Sequence, residues 1–228
     1  MLLNVEGLRV GYGSISVVED LNLRVEKGQV VALLGANGAG KTTTLLGISG
    51  ALPVQGGTVT LNGTPLDAPL HRRAKQGLGL IAEGRGIFKA LTTRENFRVG
   101  GVEVSDVLEL FPQLESRLDV KAGLLSGGEQ QMLAVGRALA RKAELLLIDE
   151  LSLGLAPLIV DRLLGVLRET ADRGVGVLLV EQHVRKILEI ADYVYVLQRG
   201  RISTEGTAAD LKDRLEEIEA SYFATSAD

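Results

Sequence analysis

Between a continuously apolar run, Val30–Leu34, and a stretch with helical character, Lys41–Ser49, stands the segment Gly35-Ala36-Asn37-Gly38-Ala39-Gly40-Lys41-Thr42. It satisfies G-x-x-x-x-G-K-[ST], and it does so where that pattern has physical meaning, after a strand and before a helix. Glycines let such a loop curl until successive main-chain N–H groups point inward at an anion. The helix that follows adds the positive end of its dipole. A lysine in this place supplies a flexible point charge for the β- and γ-phosphates of a nucleotide, and the threonine a hydroxyl for Mg²⁺. Gly35, Asn37, Gly38, Gly40, Lys41, Thr42 and Thr43 are therefore candidate ATP-binding residues, with Thr42 also a candidate ligand of Mg²⁺.

The rest of the chain is patterned to match. Leu3-Asn4-Val5-Glu6 through Leu8-Arg9-Val10, Leu21-Asn22-Leu23-Arg24-Val25 and Thr58-Val59-Thr60-Leu61-Asn62 alternate apolar with polar residues, which predicts half-exposed antiparallel strands. Residues 30–34, 145–148 and, interrupted by Gly176, 175–180 are apolar runs, expected as central strands of a parallel sheet covered on both faces. Residues 193–197 and 201–204, joined by Gln198-Arg199-Gly200, read as a terminal hairpin. Helices are expected over 41–49, 129–141, 159–173 and 184–190. A last one, opened by Thr207-Ala208-Ala209-Asp210, is expected to reach about Ser221. The stretch from about Glu83 to Gly123 breaks the strand rhythm and reads as a mostly helical insert. Strands alternating with helices indicate an α/β domain.

Bulk properties narrow the function. A net charge of −4 gives the chain no overall basic footprint for nucleic acid. The absence of cysteine removes thiolate and disulfide chemistry and suits a reducing cytosol. No signal peptide is expected from the N-terminal sequence, and no apolar run approaches the ~20 residues that cross a bilayer.

A second chemical feature lies at the end of the run Leu145-Leu146-Leu147-Ile148, which terminates in Asp149-Glu150. Ligands of open α/β sheets bind beyond the carboxyl ends of the strands. Asp149 is thus a candidate Mg²⁺ ligand, usually through water. Glu150 is the candidate base for an attacking water. Adjacent residues on an extended chain point in different directions, so the two carboxylates can divide these roles. A third feature is Leu125-Ser126-Gly127-Gly128-Glu129-Gln130. A serine and two glycines at a helix start form either a second anion site or simply a capped helix, with Ser126 as N-cap and Glu129 closing a capping box. Local physics does not choose between them.

The order GANGAGKTT, LSGGEQQ, LLLIDE and a later His183 resembles the ABC (ATP-binding cassette) ATPases over nearly the whole chain. That resemblance implies an ATPase with a RecA-like P-loop NTPase fold. It would have a mixed sheet, an antiparallel β subdomain and an inserted helical subdomain, all within one domain. Residues 1–82 and 137–228 would form the nucleotide-binding core and about 83–136 the helical arm. It also implies that two cassettes meet head to tail, so that Ser126, Gly127 and Gly128 complete the site of a partner cassette. Tyr12 stands where the family places an aromatic that stacks on adenine. His183 matches the family's switch histidine, next to Lys41 and Glu150 in catalysis. Glu83 replaces the glutamine usual in the loop Leu80-Ile81-Ala82-Glu83-Gly84, where it could serve as a Mg²⁺ ligand. Leu151 stands in place of proline and loses a fixed φ. Ala156 stands in place of the aspartate many relatives carry.

EGRxIF, LSGGEQQML and SLGLAP are together similar to the ATP-binding subunits of branched-chain amino acid importers. The resemblance implies separate membrane permease subunits, a separate solute-binding protein, and a peripheral position on the cytoplasmic face of the cell membrane. No nucleic acid partner is expected. The stretch 96–123 is shorter than that subgroup's pattern in the region that docks on the membrane subunits. Cassettes for another solute, such as urea or a lipid, and ABC proteins outside transport are the alternatives.

Overall fold

The computed structural model describes residues 1–214 except Glu83, Arg85, Leu153, Gln182 and His183. In chain order the elements are β1 (Leu3–Tyr12), β2 (Ile15–Val25), β3 (Val30–Leu34), α1 (Lys41–Ser49), β4 (Val54–Leu61), β5 (Thr64–Pro65), α2 (Leu70–Lys75) and β6 (Leu78–Ile81). Then come α3 (Thr93–Gly100), α4 (Val104–Leu110), 3₁₀ turns at Pro112–Arg117 and Ala122–Leu124, α5 (Gly127–Ala140), β7 (Leu145–Asp149), α6 (Pro157–Asp172), β8 (Gly176–Glu181), α7 (Val184–Ile187), β9 (Tyr193–Gln198), β10 (Arg201–Thr207) and α8 (Ala208–Lys212).

Two sheets result. One is antiparallel, in the order β2-β1-β4-β5; the other is six-stranded, in the order β10-β9-β3-β8-β7-β6. In the second sheet β9, β3, β8, β7 and β6 are parallel, and only β10 runs against its neighbour. The three continuous apolar runs are its centre, as expected for strands covered on both faces. Because alternate strand residues point to opposite faces, each central strand feeds two cores. Val30, Ala32, Leu34, Leu146, Ile148, Val177 and Leu179 join the core shared with α5, α6 and the helical arm. Val31, Leu33, Leu145, Leu147, Leu178 and Val180 join the one shared with α1 and the antiparallel sheet. The mixed sheet, the antiparallel sheet and the helices make this an α/β P-loop NTPase fold.

The insert is helical, built from α3, α4 and the 3₁₀ turns around Phe97, Phe111 and Leu114, all three fully buried. Its close contact with α5 depends on Gly136, where a Cβ would stand 2.5 Å from Val107 Cγ1. Asn96 ties it together. Its Oδ1 accepts from Phe88 N at 2.9 Å and from Arg137 Nη1 at 3.3 Å, while its Nδ2 donates to the carbonyls of Phe88 and Thr92. The expected edge of the arm, at 136/137, falls inside the continuous helix α5.

Several boundaries differ from the sequence reading. Helix α5 begins at Gly127 and α6 at Pro157, each two residues early, because Ser126 caps the first and a proline at the first helical position starts the second. α7 ends at Ile187 rather than 190. The last helix opens at the expected cap, with Thr207 Oγ1 accepting from Asp210 N, and is described only to Lys212. Its expected extension to Ser221 lies outside the described residues. Edge strand β6, strand β5 and helix α2 have no counterpart in the sequence reading.

Candidate active site

The site is assembled at the carboxyl ends of β3, β7 and β8. From β3 the chain enters the glycine-rich loop, which turns through Gly38 (φ 79°) and Gly40 (φ 105°) before α1 starts. Both angles lie in the left-handed region open mainly to glycine. At Gly40 a Cβ would also meet Val18 Cγ2 at 2.9 Å, so the antiparallel sheet presses on the loop from behind. α1 has no side-chain cap and no acidic residue in its first turn. Its first N–H groups and the positive end of its dipole are therefore left for an anion. Asn37 and Gly38 are exposed, Gly35 is buried, and Thr43 is buried, so Thr43 offers a ligand only its main-chain N–H.

Lys41 is 5% exposed, and its Nζ donates to Gly35 O at 2.8 Å and Ala36 O at 3.0 Å. Burial lowers its pKa below the ordinary value, opposed by the negative charges of Glu150, Asp149 and Glu181. A buried ammonium facing three carboxylates and two carbonyls is poised to receive an anion. The Thr42 hydroxyl, on the exposed side of α1, donates to Asp149 Oδ1 at 3.2 Å. A hydroxyl and a carboxylate oxygen side by side are hard donors of the kind Mg²⁺ takes. No cluster of three or more acidic, histidine or cysteine side chains that could hold a metal occurs among the described residues, so phosphate oxygens and water would have to complete the shell.

Glu150 follows Asp149 with φ 47°, a left-handed conformation uncommon outside glycine. Its N–H donates to Val180 O at 3.0 Å. Leu151, where the resemblance expected proline, has its side chain buried in the core at 1% exposure. A residue absent from the sequence reading sits beside them. Glu181 ends β8, is 2% exposed, and accepts from Ser152 N at 2.7 Å and Ser152 Oγ at 2.9 Å. The sequence signal was available: like Asp149, Glu181 is a carboxylate that ends a continuous apolar strand.

Tyr12 lies at the outer end of β1 and is 53% exposed, with its ring available for stacking. The corner 126–128 opens α5. Ser126 Oγ accepts from Glu129 N at 3.3 Å and Glu129 Oε2 accepts from Ser126 N at 2.8 Å, so the capping box is formed. Ser126 and Gly127 are exposed all the same. Among the described residues no hydrogen bond joins this corner to the loop 35–42 of its own chain. Gly128 is needed for packing, since a Cβ there would meet Ile159 Cγ2 at 3.1 Å. Glu83 and His183 lie outside the described residues. The structure thus brings Lys41, Thr42, Asp149 and Glu150 into one site and leaves Ser126 and Gly127 exposed, with Gly128 packed against Ile159.

A glycine-rich loop opening α1, with a hydroxyl–carboxylate pair and a second carboxylate at the ends of a parallel sheet, defines a nucleotide-hydrolysing P-loop protein. The ABC transporter family matches residues 18–152, and the chain belongs to it: it is an ABC transporter ATP-binding subunit and an ATPase. It is 41% identical over 220 residues to the high-affinity branched-chain amino acid transport ATP-binding protein BraG of Pseudomonas aeruginosa, covering 92% of this chain and 94% of that one. It is 38% identical to the probable branched-chain amino acid transport ATP-binding protein LivF of Archaeoglobus fulgidus, at the same coverages. The lipopolysaccharide export system ATP-binding protein LptB of Escherichia coli is 31% identical, with 92% of each chain covered. Among solved structures, an ATP-binding subunit of an ABC transporter superposes with a TM-score of 0.85 at 29% identity, over 98% of this chain and all of that one.

Proposed function

We propose that this chain powers import of branched-chain amino acids through separate membrane subunits, as one of two cassettes that close over MgATP. The observation that carries the reading is the division of the site. Lys41, Thr42, Asp149 and Glu150 converge in one place, while Ser126 and Gly127 are exposed on the same chain. An exposed serine-glycine corner at a helix start has a use if the γ-phosphate of a facing cassette comes to it. The choice of solute rests on the similarity to BraG and LivF.

In this reading the loop 35–42 and the N-terminus of α1 hold the phosphates and Tyr12 stacks on adenine. Lys41 then exchanges its two carbonyl partners for phosphate oxygens. Thr42 and Asp149 would hold Mg²⁺, with Glu83 as a further candidate ligand, and the ion would supply charge neutralisation for the phosphates. Glu150 accepts a proton from the attacking water, and His183 helps to stabilise the terminal phosphate. Most of the acceleration is positioning and electrostatics. No helix among the described residues is long and apolar enough to cross a membrane; in this reading the membrane path lies on partner chains. Residues 83–136 form the arm that meets them, on the cytoplasmic face, and a solute-binding protein delivers the substrate.

The test is to delete the gene in its own host and follow leucine uptake, while a tagged copy is purified from solubilised membranes. Loss of leucine uptake, with recovery of a multi-span membrane protein on the tag, is the expected result. Normal uptake of leucine, isoleucine and valine would remove the solute assignment.

A further inference from the structure

The turn that carries Glu150 is held from an unexpected side. Glu150 is in the left-handed region at φ 47°, a placement that a residue with a Cβ keeps only when its surroundings impose it. No proline follows to stiffen the backbone. Instead, the last two residues of β8 grip the chain on either side of Leu151. Val180 O receives the N–H of Glu150, and the Glu181 carboxylate receives both the N–H and the hydroxyl of Ser152. The Leu151 side chain between them is locked in the core.

The choice of a carboxylate here is costly. Val177, Leu178, Leu179 and Val180 are all fully buried, and an apolar residue would continue the strand without penalty. A carboxylate at 2% exposure must have its charge satisfied by hydrogen bonds. Two of its hydrogen bonds go to one residue, Ser152, two positions beyond Glu150, and use one oxygen each. Such two-point contact fixes direction as well as distance.

We propose that Glu181 is a positioning residue for ATP hydrolysis: through Ser152 it fixes the backbone turn that aims the Glu150 carboxylate. This rests on Glu150 being the base. Glu181 does not touch the reacting atoms in this account. If Glu181 acted through its negative charge beside Lys41, its loss would be felt in nucleotide binding; acting through its grip on Ser152, it is felt in the chemical step, and the kinetics separate the two.

The experiment is steady-state ATP hydrolysis by the purified full-length chain and its variants. Glu181→Ala is expected to lower kcat by about ten- to a hundredfold, the scale of a small misplacement of a reacting group, with KM for ATP within about twofold. Glu181→Gln, whose amide oxygen can accept from Ser152 N while its NH₂ donates to Ser152 Oγ, is expected to stay within about threefold of the parent kcat. Ser152→Ala added to Glu181→Ala should cause no further loss, because both changes cut the same link. A rise in KM with unchanged kcat, an equal loss in Glu181→Gln and Glu181→Ala, or additive losses in the double variant would each overturn the proposal. Glu150→Gln is measured alongside. If that variant turns over normally, the base assignment is what fails. If it is inactive while Glu181→Ala is normal, the positioning role alone fails.

Discussion

The Thr42 hydroxyl donates to Asp149 Oδ1 across 3.2 Å, joining the second residue of α1 to the last residue of β7. These two residues are 107 positions apart, and the fold places this hydroxyl and carboxylate oxygen together at the start of the phosphate-binding helix. The pair is what a Mg²⁺ that keeps its water and its phosphates would use. Thr42→Val and Asp149→Asn should therefore raise the Mg²⁺ concentration for half-maximal hydrolysis by about ten- to a hundredfold. Nucleotide binding measured without Mg²⁺ should change little. A Mg²⁺ dependence identical to the parent's in both variants would remove these two residues from the metal site.

Ser126 serves two purposes that one substitution can separate. As N-cap it accepts from Glu129 N, and as an exposed corner residue it is available to a facing phosphate. Aspartate caps a helix as well as serine does, so Ser126→Asp should leave the melting temperature near the parent value. It also sets a carboxylate where the γ-phosphate of a partner would arrive. Pairing of cassettes on addition of MgATP, followed by sedimentation velocity, should be lost while nucleotide binding persists. Undiminished pairing would contradict the outward role of the corner.

Ala156 is the N-cap of α6 and makes no side-chain capping bond. Aspartate in its place can accept from the first-turn N–H groups. Ala156→Asp is expected to stabilise the fold by about 1 kcal/mol, or roughly 2–4 °C in thermal unfolding for a chain of this size. No gain in Tm would mean that the start of α6 cannot adopt the capping geometry.

How much of this was legible in the sequence follows from where the determining contacts lie. The loop 35–42 and helix α1 could be read directly, because a strand, six loop residues and a helix start are contiguous in the chain. The strands β3, β7 and β8 were legible because both faces of each are covered, which leaves only apolar residues. Edge strand β6 was not. It has four residues, one of them Gly79, and its middle positions are only half-buried, so neither alternation nor a continuous apolar run marks it. Helix α2 is set by Arg73, whose guanidinium is buried against Ala68 O, Gly47 O and Ile48 O at the far end of α1. Those contacts cannot be read from six residues with two arginines and a lysine. Glu181 was marked in the sequence as a carboxylate ending an apolar strand, but its partner was not: Ser152 is 29 residues away, and only the fold brings the two together.

Acid should loosen the junction between the 3₁₀ turn Pro112–Arg117 and helix α5 in a defined way. Glu129 is partly buried, which works against its charge. The hydrogen bonds from Arg117 and from Ser126 outweigh that and hold its carboxyl below the ordinary 4.5. A depressed carboxyl pKa gives stability that is complete above 4.5 and is lost as pH falls through the folded-state value. Glu129→Gln can still close the capping box but has no charge for Arg117. Its Tm should lie below the parent's near neutral pH, and the gap should close as pH is lowered through the region under 4.5. A gap that stays constant with pH would show that the charge on Glu129 contributes nothing to the junction.

Glu150→Gln gives the most direct test of the whole assembly, because it changes one oxygen into an NH₂ group at the residue on which the chemistry depends. ATP binding and the rate of hydrolysis should be measured on the same purified sample. Binding should remain within about twofold of the parent, while kcat falls by about 10²–10⁴-fold, the contribution expected of a positioned base. Turnover at the parent rate with full binding would contradict the account.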